Sequence, residues 1–136
     1  MTAPVLEVVD DGPVRTLWLN RPAVHNALDE GLMAELNAAL QAIRHDTSVR
    51  VVVLAGRGRS FCAGGDLNWM QRAARNGPAE NLADARRLAA LFQAVRTSPT
   101  PVIARVQGNA LAGGTGLVAA CDIAIADTTA RFGVTE

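Results

Sequence analysis

A β-branched run that ends in a glycine-rich loop and then turns into a helix occurs twice in this chain. The two passages are Val51-Val-Val-Leu-Ala-Gly-Arg-Gly-Arg-Ser-Phe-Cys-Ala-Gly-Gly-Asp66 and Pro101-Val-Ile-Ala-Arg-Val-Gln-Gly-Asn-Ala-Leu-Ala-Gly-Gly-Thr-Gly116. The glycine pairs Gly64-Gly65 and Gly113-Gly114 recur at a spacing of about fifty residues, a range that suggests stacked supersecondary units of strand, turn and helix. Glycine is needed where φ is positive or where another group approaches the backbone closely. Each pair also precedes a helix, whose first N–H groups lack intrahelical partners and favour a developing negative charge. Two such turns can bring two N–H groups onto one oxygen, the wiring of an oxyanion hole. One pair alone is better explained as a tight turn, and two of them after parallel strands shift the balance. The second loop lacks the P-loop lysine, since Gly114 stands in that position, and no clean GxGxxG directly follows a strand, which argues against nucleotide binding.

Elsewhere the periodicities are plain. Residues 5–9 and 15–20 read as two strands joined by a tight turn at Asp10-Asp-Gly-Pro13. Asp29 is an N-cap candidate, and Leu32, Leu36, Leu40 and Ile43 predict a helix over about 29–45 with one apolar stripe. Val51 to Leu54 has the pattern of a strand buried on both faces. A short helix is expected from Asp66, and then a longer one with Leu82, Ala85, Ala89, Phe92 and Val95 on one face, stopped by Ser98-Pro99. Residues 101–106 form the next strand, 113–121 a buried helix without a polar face, and 122–126 and 130–133 two short strands around a Thr-Thr turn.

Composition narrows the function. With 136 residues, 49% hydrophobic and 19% charged, the chain has the length and apolar content of one domain or part of one. Thirteen basic and thirteen acidic residues cancel, and no basic cluster tracks a phosphate backbone, which argues against nucleic acid. All the basic residues are arginines, so Schiff-base chemistry on lysine is excluded within this stretch. The N-terminal residues lack the pattern of a secretory leader, no run approaches the ~18 apolar residues of a membrane span, and the expectation is a soluble, cytoplasmic protein. Cys62 and Cys121 fall in neither a CxxC pair nor a Cys/His cluster and read as small, reduced core residues rather than metal ligands.

Three ordered segments carry a resemblance: Asn20-Arg-Pro-Ala-Val-His-Asn-Ala-Leu28, Ser60-Phe-Cys-Ala-Gly-Gly-Asp-Leu67, and Gly108 through Asp122 followed by Phe132-Gly-Val-Thr-Glu136. Together they resemble the enoyl-CoA hydratase/isomerase, or crotonase, family. The resemblance implies an α/β fold with a superhelical ββα spiral core, an acyl-CoA thioester substrate with coenzyme A as part of the substrate and no separate cofactor, and a homotrimer or hexamer. Residues 1–136 would be the N-terminal part of that core, without the C-terminal helical trimerisation region, and alone they are expected to be poorly stable and inactive.

Position by position, Gly65 and Gly113 resemble the two oxyanion-hole donors. Asp66, Leu67 and Asn68 resemble the segment that lines the bound acyl-CoA, and Ala23, Val24 and Ala63 match positions that contact its adenine and pantetheine portions. Arg21 is a candidate for the CoA phosphates by proximity. Glu136 matches the second of two acidic residues of family hydratases, whereas Gly116 stands where the first would be. One glutamate can serve as general base and then general acid if burial holds its pKa near the working pH. His25 and His45 are expected to cap or to meet a dipole, Trp18 and Trp69 to be core or cleft wall, and Asp122 to make structural hydrogen bonds.

Within the family the sequence looks most like methylglutaconyl-CoA and isohexenylglutaconyl-CoA hydratases, so hydration of a branched glutaconyl-type enoyl-CoA is the first expectation. A Δ3,Δ2-enoyl-CoA isomerase and a non-catalytic acyl-CoA-binding homologue are the alternatives.

Overall fold

The computed structural model describes residues 2–135. In chain order the strands are β1 (Leu6–Asp11), β2 (Val14–Leu19), β3 (Val51–Gly56), β4 (Val102–Val106), β5 (Asn109–Leu111), β6 (Ile123–Ala126) and β7 (Arg131–Gly133). The helices are α1 (Glu30–Ile43), α2 (Leu67–Ala73), α3 (Pro78–Arg96) and α4 (Gly113–Ala120). β1 and β2 form the expected antiparallel hairpin, with Leu6 opposite Leu19. From β2 onward the larger sheet is parallel, in the order β1-β2-β3-β4-β6.

A second, smaller ladder runs beside it. β5 pairs with β7 in parallel, and Cys62 extends that ladder through an isolated bridge to Ala110. Leu54, Ala104 and Ala124 are thus successive neighbours in the large sheet, while Cys62, Ala110 and Phe132 are successive neighbours in the small one. Each turn of the chain lays down one long strand, then one short strand, and the first two turns close with helix. This is the α/β ββα spiral that the resemblance implies. Three residues of β5 give no periodicity to read, so sequence reasoning took them as part of the glycine loop. β6 and β7 flank the Thr-Thr turn as expected, but they belong to different sheets and do not pair with each other.

The core lies between the large sheet and the helices. Leu17, Leu19, Val52, Leu54, Val102, Ala104 and Val106 face Leu32, Leu36, Leu40 and Ile43 of α1 and Leu91 and Val95 of α3. α1 begins where its cap predicts, with Asp29 Oδ1 accepting from the Leu32 amide at 2.9 Å. Three expectations need correction. β3 is fully covered on one face only, since Val52 and Leu54 are buried and Val51 and Val53 are half-buried. On α3 the inward stripe is Asp84, Leu88, Leu91 and Val95, whereas Leu82, Ala85 and Ala89 are exposed. Alanines gain little from burial, and the larger Leu88 and Leu91 set the rotation of the helix. α4 is not wholly buried either, because only Gly114 and Leu117 are covered and Ala119 faces outward. Among the described residues no helix is long and apolar enough to cross a membrane.

Candidate active site

The site is assembled by bolting residues 21–28 onto the loop that follows β3. Asn26 is fully buried, and its side chain accepts from the Arg21 amide at 2.7 Å and donates to the carbonyls of Arg57 and Ser60 at 2.9 Å each. His25 and Asn26 are both left-handed, with φ of 53° and 56°, which asparagine tolerates better than most residues. His25 Nδ1 lies 3.0 Å from Ser60 Oγ, and the His25 amide closes the Pro22–Val24 turn by donating to the Pro22 carbonyl.

The bolt brings Leu28 beside Gly65. The Leu28 amide donates to the Gly64 carbonyl at 2.7 Å, and the Asp66 amide donates to the Leu28 carbonyl at 2.8 Å. In a parallel bridge of this kind the residue bonded on both sides is Leu28, so the Gly65 N–H is turned the other way and is not consumed by the bridge.

The second loop is stitched to the first. The Cys62 amide donates to Asn109 and the Leu111 amide to Cys62, at 3.1 and 3.0 Å. A Cβ on Gly114 would run into the Cys62 carbonyl oxygen, so this position accepts only glycine. Ala112 holds φ 49° and ψ −116°, a conformation costly for a residue with a side chain, and it delivers Gly113 as the first residue of α4. An amide at that helical position has no intrahelical acceptor. The Thr115 hydroxyl, 2.6 Å from the Ala110 carbonyl and 3.0 Å from the Gly133 carbonyl, ties this corner to the end of β7.

Gly65 and Gly113 line one cavity of about 540 Å³, shared with Leu28, Ala63, Leu67, Trp69, Met70, Leu88, Phe92, Ala112, Gly116 and Thr135. A neighbouring cavity of about 440 Å³ is lined by Val24, His25, Ala27, Ala63, Gly65, Asp66, Leu67 and Asn68. Ala63, Gly65 and Leu67 border both, so the two form one cleft with Gly65 at its junction. Seven of the nine residues singled out for the site, Val24, Ala63, Gly65, Asp66, Leu67, Asn68 and Gly113, therefore line this cleft. Ala23 sits exposed on the single 3-10 turn Pro22–Val24, outside both linings. Glu136 lies outside the described residues, and Thr135 before it is part of the cleft wall.

The charged groups beside the cleft are engaged with one another and with the backbone. Asp66 is 5% exposed and caps α2, its Oδ1 accepting from the Trp69 amide at 3.0 Å. Burial alone would raise its pKa, but the Trp69 amide, the Arg21 guanidinium and the Asn68 amide together hold the carboxyl below the usual range. Arg21 pairs with Asp66 at 3.1 Å and Asp29 at 3.2 Å and donates to the Ala27 carbonyl. Its guanidinium is thus engaged as a brace between the two acids. Asp122 accepts from the Val102 amide at 2.8 Å, the structural role expected of it.

Sequence reasoning missed Asn26, Leu28 and Phe92. Asn26 stood inside a quoted motif, and an asparagine beside a histidine in a turn was a signal for left-handed backbone; no local signal pointed to Phe92.

The family model described as enoyl-CoA hydratase/isomerase matches residues 11–136. The chain is 44% identical over 123 residues to the 2,3-dehydroadipyl-CoA hydratase of Escherichia coli, covering 90% of this chain and 46% of that protein. It is 36% identical over 125 residues to the crotonyl-CoA hydratase of Syntrophomonas wolfei, covering 88% and 45%. An enoyl-CoA hydratase crystal structure from Mycobacterium smegmatis matches with a TM-score of 0.92 at 43% identity, covering 98% of this chain and 51% of that one. The chain spans about half the length of the curated relatives it matches. Its spiral of ββα units, its paired glycine loops and these matches place the chain in the enoyl-CoA hydratase/isomerase family.

Proposed function

We propose that the protein carrying this chain adds water to an α,β-unsaturated acyl-CoA thioester. The observation that carries the reading is the shared cavity of Gly65 and Gly113, with the Gly65 amide turned from its bridge and the Gly113 amide at a helix start. In this reading the two amides donate to the thioester oxygen, and the bond becomes strongest as that oxygen takes up enolate charge. The hydroxyl of water joins the β-carbon while Glu136 accepts its proton, and a proton returned to the α-carbon discharges the enolate. The pantetheine arm runs past Ala63 and Leu67 toward Val24. The relatives named as hydratases support this reading.

The acyl end would meet Leu28, Trp69, Met70, Leu88 and Phe92. A carboxylate buried against such a wall carries a large desolvation cost. We therefore propose that the part of the acyl group beside the thioester is apolar, and keep the branched glutaconyl thioesters expected from the sequence as the comparison. Assembly into a homotrimer or hexamer belongs to the same proposal, supported by exposed apolar residues at Ile123, Ile125, Phe132 and Val134.

The test is incubation of the full-length protein with crotonyl-CoA and 3-methylglutaconyl-CoA in 18O-labelled water, beside Glu136→Gln. Label at the β-carbon that vanishes in the variant is the expected result. A second reading, isomerisation of a 3-enoyl thioester, is favoured by Gly116, because a 1,3-proton shift needs one acid and no bound water. Turnover of the 3-enoyl thioester without label would replace hydration by that reading, and binding without turnover would leave an acyl-CoA-binding protein.

A further inference from the structure

Phe92 reaches from α3 to the start of α4 with the tip of its ring. A Cβ on Gly116 would lie 3.0 Å from Phe92 Cζ, 3.3 Å from Cε1 and 3.6 Å from Cε2, and a Cβ on Gly113 would lie 3.9 Å from Cζ. The ring therefore occupies the space into which any side chain at position 116 would grow, directly beside a proposed oxyanion donor. Leu88, one helical turn earlier, lines the same cavity, and Trp69 and Met70 line it from α2. Because Phe92 is half-buried and belongs to both the helix contact and the cleft wall, its bulk limits the room left for an acyl chain.

Resting on the acyl-CoA reading above, we infer that Phe92 is a specificity-determining residue, which sets the length and branching of the acyl group by filling the volume above Gly116. A longer chain is excluded by the ring, and a short one is held against it. The residue needs no role in proton transfer to do this.

The experiment measures binding of non-reacting butyryl-, hexanoyl- and octanoyl-CoA by calorimetry to the full-length protein and to its Phe92→Ala and Phe92→Leu variants. Each methylene newly buried is worth about fourfold in affinity, so the octanoyl-to-butyryl ratio should rise at least about tenfold in Phe92→Ala, and by less in Phe92→Leu. Gly116→Ala completes a cycle: it should weaken butyryl-CoA binding about tenfold in the otherwise unaltered protein and have little effect in the Phe92→Leu background. An unchanged ratio in folded variants, with Gly116→Ala effects that simply add, overturns the inference and leaves the acyl-CoA reading intact. Failure of the unaltered protein to bind any of the three thioesters overturns that reading, and the inference with it.

Discussion

Gly64 and Ala112 touch where the two glycine loops meet: a Cβ on Gly64 would stand 3.0 Å from Ala112 Cβ and 3.4 Å from the Gly113 amide nitrogen. Gly64 also holds φ +96°, where a side chain is strained whatever the space. The contact sets the spacing of the two loops that carry the proposed donors. Gly64→Ala should cost roughly 2–4 kcal/mol from strain and overpacking together. Denaturant unfolding checks this, and a loss below about 0.5 kcal/mol would show that the loops can part without consequence.

Asp66 joins the first loop to α2 through its cap and its pair with Arg21. Asp66→Ala should cost roughly 1–3 kcal/mol near neutral pH, from a lost cap and the loss of one of the two acids paired with Arg21. The folded carboxyl titrates below its unfolded value, so its contribution is complete above the unfolded pKa and is lost as pH falls through the folded one. The difference between the two proteins should accordingly be flat from about pH 6 to 8 and shrink below about pH 4. A difference that stayed constant down to acid pH would contradict the pairing.

The Trp69 indole Nε1 is buried and has no hydrogen-bond partner among the described residues. A buried donor left unmade is costly, so Trp69→Phe, which keeps a ring and removes the N–H, should change stability by no more than about 1 kcal/mol despite the smaller side chain. A loss of about 3 kcal/mol or more, the range of ring deletion, would mean that packing of the full indole dominates.

Both cysteines should be inert in the folded protein. Burial pushes the Cys62 thiol up to about 11, against a smaller opposing effect of the Gly64 amide, and burial with the nearby Asp122 charge pushes Cys121 up to about 12. Alkylation at pH 8 should run at least about a hundredfold slower than for a free thiol and become fast only in denaturant. Modification of Cys62 at the free-thiol rate without unfolding would contradict its burial.

Local sequence encodes some of these features and not others. The cap at Asp29, the stripe on α1 and the extended run of β3 are short-range patterns, and each forms its expected element, although β3 is fully covered on one face only. The glycine pairs were legible because positive φ and close approach restrict residue type at the position itself. Phe92 over Gly116 was not legible, since 24 positions separate them and no pattern in either segment links the ring to the glycine. The same holds for Asn26, whose partners Arg57 and Ser60 lie beyond α1 and β3. The pairing of Arg21 was not legible either, since the acids that engage it arrive from 8 and 45 positions away.

The most direct test of the central claim is the infrared carbonyl stretch of a thioester 13C-labelled at C1 and bound to the full-length protein, read against the same thioester in water. Donation by Gly65 and Gly113 to that oxygen predicts a clear shift to lower frequency on binding, with the band narrowed by a single environment. A bound thioester whose carbonyl stretch matches or exceeds its value in water would contradict the oxyanion hole and the mechanism built on it.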